Sequence, residues 1–121
     1  MPEKSKAADP LSIPMEKLTQ PAILLLLHRN EAHGYDLIQK LSQARFIDSD
    51  PDTATVYRAL RRMEQDGLVV SSWKHGEFGP ARRQYRLTPE GLKLLEEWIG
   101  RLEERKKQID SFIGYYRETR R

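Results

Sequence analysis

Between Asp50 and Pro89 the chain reads as an arginine-studded helix, a strand, a Gly/Pro tip, a second basic strand and the cap of another helix. Few architectures accommodate that order. Asp50 is the expected N-cap of the first of these helices. Pro51 then sits at its first position, and Asp52 lies where the positive end of the helix dipole favours an acid. Gly67 stops the helix as a residue suited to a left-handed backbone. The strands span Leu68–Trp73 and Arg82–Leu87, and Lys74–Ala81, with two glycines and a proline, forms the tip between them. Thr88-Pro89-Glu90 is a second helix start: a hydroxyl cap, a proline in the first turn and an acid beside the dipole.

Upstream, Met1 to about Met15 carries Pro2, Pro10 and Pro14 among Lys and Ser and is expected to pack loosely. A helix begins near Thr19 with Pro21 in its first turn. Its run Ala22–Leu27 is apolar on every side and belongs in the core. A second helix is expected over Ala32–Ala44, with Tyr35, Leu37, Ile38 and Leu41 apolar and Gly34 admitting a close neighbour; Arg45–Ser49 connects it to the arginine-rich helix. The final helix runs from Pro89 to near Arg117. Leu92, Leu95, Ile99, Leu102, Ile109, Ile113 and Tyr116 recur on it in steps of three and four, interrupted only by Lys106. At about 1.5 Å per residue it extends roughly 42 Å, too far for one small domain to cover its whole seam. A second copy of the chain is the expected cover; folding back on the first helix is the alternative.

These elements give a mainly α fold with a small β-hairpin: a winged helix-turn-helix plus a long C-terminal dimerisation helix. The divisions are residues 1–15, a flexible N-terminal segment; 16–88, a DNA-binding domain; and 89–121, the dimerisation helix. The 121 residues suit one such domain with an appended element.

The net charge is only +3, but it is unevenly placed. From Arg58 to Arg86 seven bases (Arg58, Arg61, Arg62, Lys74, Arg82, Arg83, Arg86) face three acids (Glu64, Asp66, Glu77), so this segment is +4 and the rest of the chain −1. A basic stripe on a nearly neutral protein points to a local polyanion site; a solvated helix face is the plainer alternative. At about 100° per residue, Val56, Ala59, Leu60 and Met63 share one side of the arginine-rich helix. Ala54, Arg58, Arg61, Arg62 and Gln65 share the other, with Thr55 at the border. The N-terminal half of such a helix enters the major groove, so Thr55 and Arg58 are the expected base contacts. An arginine fork on guanine discriminates by about 1–3 kcal/mol. Arg61 and Arg62 lie further along and are expected on phosphate. Thr53 and Tyr57 lie at the edge of the same face and could reach phosphate, although Thr53 could serve only the cap. In the hairpin Lys74, His75, Arg82 and Arg83 flank the tip, where a wing reaches the DNA backbone or an adjacent minor groove; cross-strand pairing with an acid is the alternative for Arg83. Asp48, Asp50 and Asp52 place opposing charge near this end.

Three blocks together carry a family resemblance: HGYDLIQKL (His33–Leu41), TATVYRALRRMEQDGLV (Thr53–Val69) and RRQYRLTPEGLKLLEEW (Arg82–Trp98). Over about residues 21–100 the chain resembles the PadR family of bacterial transcriptional regulators. The resemblance implies a winged helix-turn-helix that dimerises through its C-terminal helix and represses transcription until a small effector releases it. By position, Gly34-Tyr35 matches the family's Gly-Tyr pair, Thr55-Val56-Tyr57 and Leu60 its recognition helix, and Arg83, Tyr85 and Thr88–Gly91 its wing and cap. Arg58 stands where the family commonly has proline. The short members with one C-terminal helix, among them regulators linked to polyhydroxybutyrate storage, are the most similar.

The expected partners are double-stranded operator DNA, a second copy of the chain, and a small aromatic or apolar effector. Trp98, beside the seam, is the candidate effector residue; packing is the alternative for both Trp73 and Trp98, and a core position for Tyr35 and Tyr57. No cofactor or metal is expected. The chain has no cysteine, and His28, His33 and His75 lack metal-ligand spacing. The stretch from Asp48 fails as a calcium loop, because Thr53 and Ala59 stand where glycine and glutamate are required. No nucleophile or phosphate-loop motif suggests an enzyme. With no apolar leader and no membrane-length run, the expectation is a soluble cytoplasmic protein. Two other readings use the same fold, as a protein-interaction module or as a polymer-granule-associated protein.

Overall fold

In the computed structural model, residues 18–44, 52–76 and 79–119 are described. The N-terminal segment 1–15, the connector 45–49, and the expected cap residues Asp50 and Pro51 lie outside them.

Helix α1 (Thr19–Arg29) buries Ala22, Ile23, Leu24 and Leu27, with Leu25 and Leu26 packed at the core's edge. Its run Ala22–Leu27 is apolar throughout, with the polar residues confined to the two ends, and Pro21 falls in the first turn, where a missing N–H leaves no bond unmade. The chain then turns extended. Ala32–His33 form a short strand, β1, pairing with the hairpin at Ala32↔Tyr85 and His33↔Gln84. This corrects the expected start of the second helix, which begins instead at Gly34 as α2 (Gly34–Ala44). An open hairpin edge with unpaired backbone groups recruits these two residues more strongly than a helix's first turn does. Leu37 and Leu41 of α2 are buried, whereas Tyr35 is 57% exposed and not a core residue.

Helix α3 (Thr53–Gln65) starts two residues later than Asp50 would place it. Asp52 is the cap, its carboxylate accepting the Thr55 N–H at 2.7 Å. At the other end Gly67 has φ +78, the Leu68 N–H donates to the Met63 carbonyl at 2.9 Å, and the Gly67 N–H to that of Glu64 at 3.1 Å. That pair of bonds is a Schellman closure, and the glycine supplies the left-handed residue it requires. The hairpin follows as β2 (Val69–Lys74) and β3 (Arg82–Leu87), registered from Val69↔Leu87 to Lys74↔Arg82. The sheet is antiparallel with order β1-β3-β2. Thr88 joins the hairpin base to helix α4 (Pro89–Thr119): its hydroxyl donates to the Gly67 carbonyl at 2.7 Å and accepts the Gly91 N–H at 3.0 Å.

One core unites α1, α2, α3, the sheet and the first turns of α4, through Ile23, Leu24, Leu37, Leu60, Met63, Val69, Tyr85 and Leu95. The beginning of α4 is therefore part of the winged domain, and the packing does not divide at residue 88. Beyond Gly100 the rest of this 31-residue helix, about 46 Å long in all, runs out from the core with almost every residue exposed.

Candidate nucleic-acid interface

Helix α3 is sided as its sequence requires. Val56, Leu60 and Met63 are buried, Ala59 packs at the core's edge, and Arg58, Arg61, Arg62 and Gln65 are exposed on the opposite side with Thr53. Thr55 is half-buried at the border. Its backbone N–H, and then its side chain, hold the Asp52 carboxyl below the ordinary carboxylate range. The negative charge of Asp52 is thus engaged with the helix itself. Among the described residues Arg58 Nη2 makes only a long 3.4 Å bond to Thr55 Oγ1. Arg62 pairs with Asp66 at 3.4 Å, one turn on and well exposed, a pair too weak to withhold the guanidinium from a phosphate. Arg61 makes no hydrogen bond or ion pair among the described residues.

The hairpin's pleat divides its bases between two faces. Trp73 stands opposite Arg83, and Ser71 opposite Tyr85, on the face turned to α3; Lys74 and Arg82 pair on the other. Among the described residues Arg83 does not pair directly with an acid. Its Nε donates to Ser71 Oγ at 2.9 Å, and the Ser71 hydroxyl donates to Glu64 Oε2 of α3 at 2.8 Å. The Arg83 guanidinium also lies 5.4 Å from the centroid of the Trp73 ring, within cation–π range. Wing and recognition helix are thereby joined through a hydroxyl. His75 is exposed just beyond the end of β2.

Helix and wing enclose a cleft of about 780 Å³, walled by Tyr35, Tyr57, Trp73 and Tyr85 and by the guanidiniums of Arg61 and Arg83. Burial pushes the Tyr85 phenol up, keeping it neutral. The sequence reading missed His33, Tyr35, Trp73 and Tyr85 as parts of this cleft. A tryptophan alternating onto the inner face of a basic strand was the available signal; the contribution of β1 had none.

On α4 the apolar seam splits. Leu95 is buried and Leu92 half-buried in the chain's own core, whereas Ile99, Leu102, Ile109, Ile113 and Tyr116 are exposed. Phe112, absent from the heptad reading, is 79% exposed beside them. Trp98 packs against the core, its Nε1 donating to Gln20 Oε1 at 3.3 Å. Among the described residues no cluster of His, Cys, Asp or Glu could hold a metal ion, and no helix is long and apolar enough to cross a membrane.

The model of the Transcriptional regulator PadR-like family matches residues 23–97. The chain is 38% identical over 99 residues to the transcriptional regulator Rv3488 of Mycobacterium tuberculosis, covering 78% of this chain and 89% of that protein. Among solved structures, a PadR-like transcription factor from Bacteroides fragilis is 29% identical with TM-score 0.67, covering 93% of this chain and 99% of its own. A PadR-like transcriptional regulator from Bacillus cereus is 25% identical with TM-score 0.73, covering 82% and 94%.

Proposed function

We propose a function from a plain premise: the chain belongs to the PadR-like family of transcriptional regulators. It is a DNA-binding transcriptional regulator with a winged helix-turn-helix fold. The observation that carries the DNA-binding reading is the split of α3, with Val56, Leu60 and Met63 buried and Arg58, Arg61 and Arg62 exposed beside a basic wing. In our reading Thr55 and Arg58 meet base edges. Arg61, Arg62 and the wing's Lys74, Arg82 and Arg83 meet phosphates, with Thr53, Tyr57, Gln65 and His75 at the margins.

The working unit is a homodimer. Ile99, Leu102, Ile109 and Ile113 form an apolar strip on a helix with no core to cover it, and a twofold pairing of these helices suits a palindromic operator. Its half-sites would lie about 34–36 Å apart. The dimer represses, and a small aromatic or apolar effector seated near Trp98, where two seams begin to meet, relieves repression.

Footprinting on the DNA upstream of the protein's own gene tests this. Two protected half-sites about one helical turn apart are expected, lost or redistributed in Arg58→Ala. Binding that is insensitive to salt and to Arg58, Arg61 and Arg83 alike would refute the assignment of this face.

A further inference from the structure

The cleft between α3 and the wing has more aromatic surface than a grip on phosphodiester needs. A phosphate is held by cations and N–H groups; π-faces add nothing to it. Yet Tyr35, Tyr57, Trp73 and Tyr85 all line this cavity, and Trp73 is 61% exposed. Tyr35, Tyr57 and Trp73 are exposed and Tyr85 is buried behind them; exposed rings gathered in one concave place mark a binding surface more often than chance. Arg61 makes no hydrogen bond or ion pair among the described residues, and Arg83 is already oriented by Ser71 and lies over Trp73. The guanidiniums of Arg61 and Arg83, with Arg82 at the rim, outnumber the single carboxylate of Glu64, which Ser71 engages. The cleft is therefore cationic as well as aromatic. Its volume of about 780 Å³ lies within the range of small-molecule sites.

We propose that this cleft binds a nucleotide, with the base stacked against the Trp73 and tyrosine walls and the phosphate between Arg61 and Arg83. A planar base and an anionic phosphate joined by a sugar match both halves of the lining. The same chemistry is offered by a free mononucleotide and by an unpaired nucleotide within a strand. Occupancy removes Arg61 and Arg83 from duplex DNA, so a bound nucleotide and the operator exclude one another. That exclusion rests on the DNA-facing reading above; the binding itself does not.

Calorimetric titration of the full chain with AMP tests it, with adenosine and ribose 5-phosphate as half-ligands. AMP is expected to bind at least about tenfold more tightly than either half, as base–aromatic stacking implies. Trp73→Leu should lower AMP affinity about tenfold and leave ribose 5-phosphate unchanged, while Arg83→Gln weakens both. Trp73 is exposed, so loss of its ring leaves the core intact, and circular dichroism of each variant verifies the fold. Equal affinity for AMP and ribose 5-phosphate would reduce the cleft to a phosphate slot and overturn the proposal, as would the absence of AMP binding in millimolar titration. A single-stranded deoxyadenylate tetranucleotide separates the sources: tighter binding than AMP assigns the site to a strand, weaker binding to the free nucleotide. The two readings fail separately. Silence toward AMP with operator binding still dependent on Arg61 sinks only the nucleotide site. AMP binding that leaves operator binding untouched sinks the shared face.

Discussion

The ring of Tyr57 crosses the backbone of Gly34 so closely that a β-carbon at residue 34 would stand 2.5 Å from the ring's Cε1. Helices α3 and α2 therefore meet through a glycine's missing side chain, with the Tyr57 ring seated against the start of α2. Gly34→Ala is expected to destabilise the fold by about 1–3 kcal/mol, the scale of overpacking, and to weaken DNA binding with it. Tyr57→Leu in the same chain should recover most of that stability. Thermal unfolding of the single and double variants checks this, and an unshifted midpoint for Gly34→Ala would mean the ring simply swings aside.

The arginines of α3 and of the wing should separate by role. Arg58→Ala is expected to change which operator is preferred, at about 1–3 kcal/mol for the affected base pair. Arg61→Ala and Arg83→Ala should weaken all DNA alike, each reducing the slope of log K against log salt by about one. Gel-shift titrations at several salt concentrations on operator and scrambled duplexes distinguish the two outcomes. A flat response from all three variants would move the interface off this face.

How much of this was readable beforehand varies with the range of the interaction. The siding of α3, its glycine stop and the Thr88 cap are local, written within one or two turns, and the structure reproduces them. Non-local pairing left no such trace. Ala32–His33 look like the start of a helix until β3 exists to pair with them, and the Glu64–Ser71–Arg83 chain depends on a strand register that no spacing within α3 reveals. The heptad pattern of α4 was legible too. Which of its positions the winged domain takes for its own core was not, because Leu95 and Ile99 belong to the same period and differ only in what lies opposite.

Ser71 is not itself a proposed DNA contact, yet it connects Glu64 of α3 to Arg83 of the wing at 2.8 and 2.9 Å. Ser71→Ala removes both bonds, each worth about 0.5–1.5 kcal/mol, and releases Arg83 to explore other rotamers. Operator affinity should fall several-fold. In an Arg83→Ala background the same change should do almost nothing, and that non-additivity separates orientation of Arg83 from a general loss of stability. Additive losses would show that the wing is positioned by other contacts.

Asp52 sets an acid limit on the recognition helix. Its carboxyl is held below its ordinary value near 3.8, chiefly by the Thr55 N–H. For a group depressed on folding, the stabilisation is complete above the unfolded-state value and is lost as pH falls through the lower folded one. Denaturant unfolding followed from pH 6 down to about pH 2.5 should therefore lose a contribution below about pH 4 that Asp52→Asn does not show. Parallel pH profiles for the two proteins would mean the cap bond is not maintained in solution.

Lys106 is the one charged residue in the a/d seam of α4, flanked by Leu102 below and Ile109 and Ile113 above, all exposed in the single chain. If two copies pair along this strip, two ammonium groups are brought to the same layer. Such a residue lowers dimer stability while penalising shifted or larger assemblies. Lys106→Ile should then lower the dimer dissociation constant by at least about tenfold, equivalent to about 1.4 kcal/mol, and permit higher oligomers. Ile109→Asp should do the reverse and yield monomers that still fold, because the core lies entirely on the Leu95 side of Gly100. Sedimentation equilibrium reads both. A dimer constant indifferent to Lys106 and Ile109 would leave the outer half of this helix without the role assigned to it, and the operator's twofold spacing would need another interface to generate it.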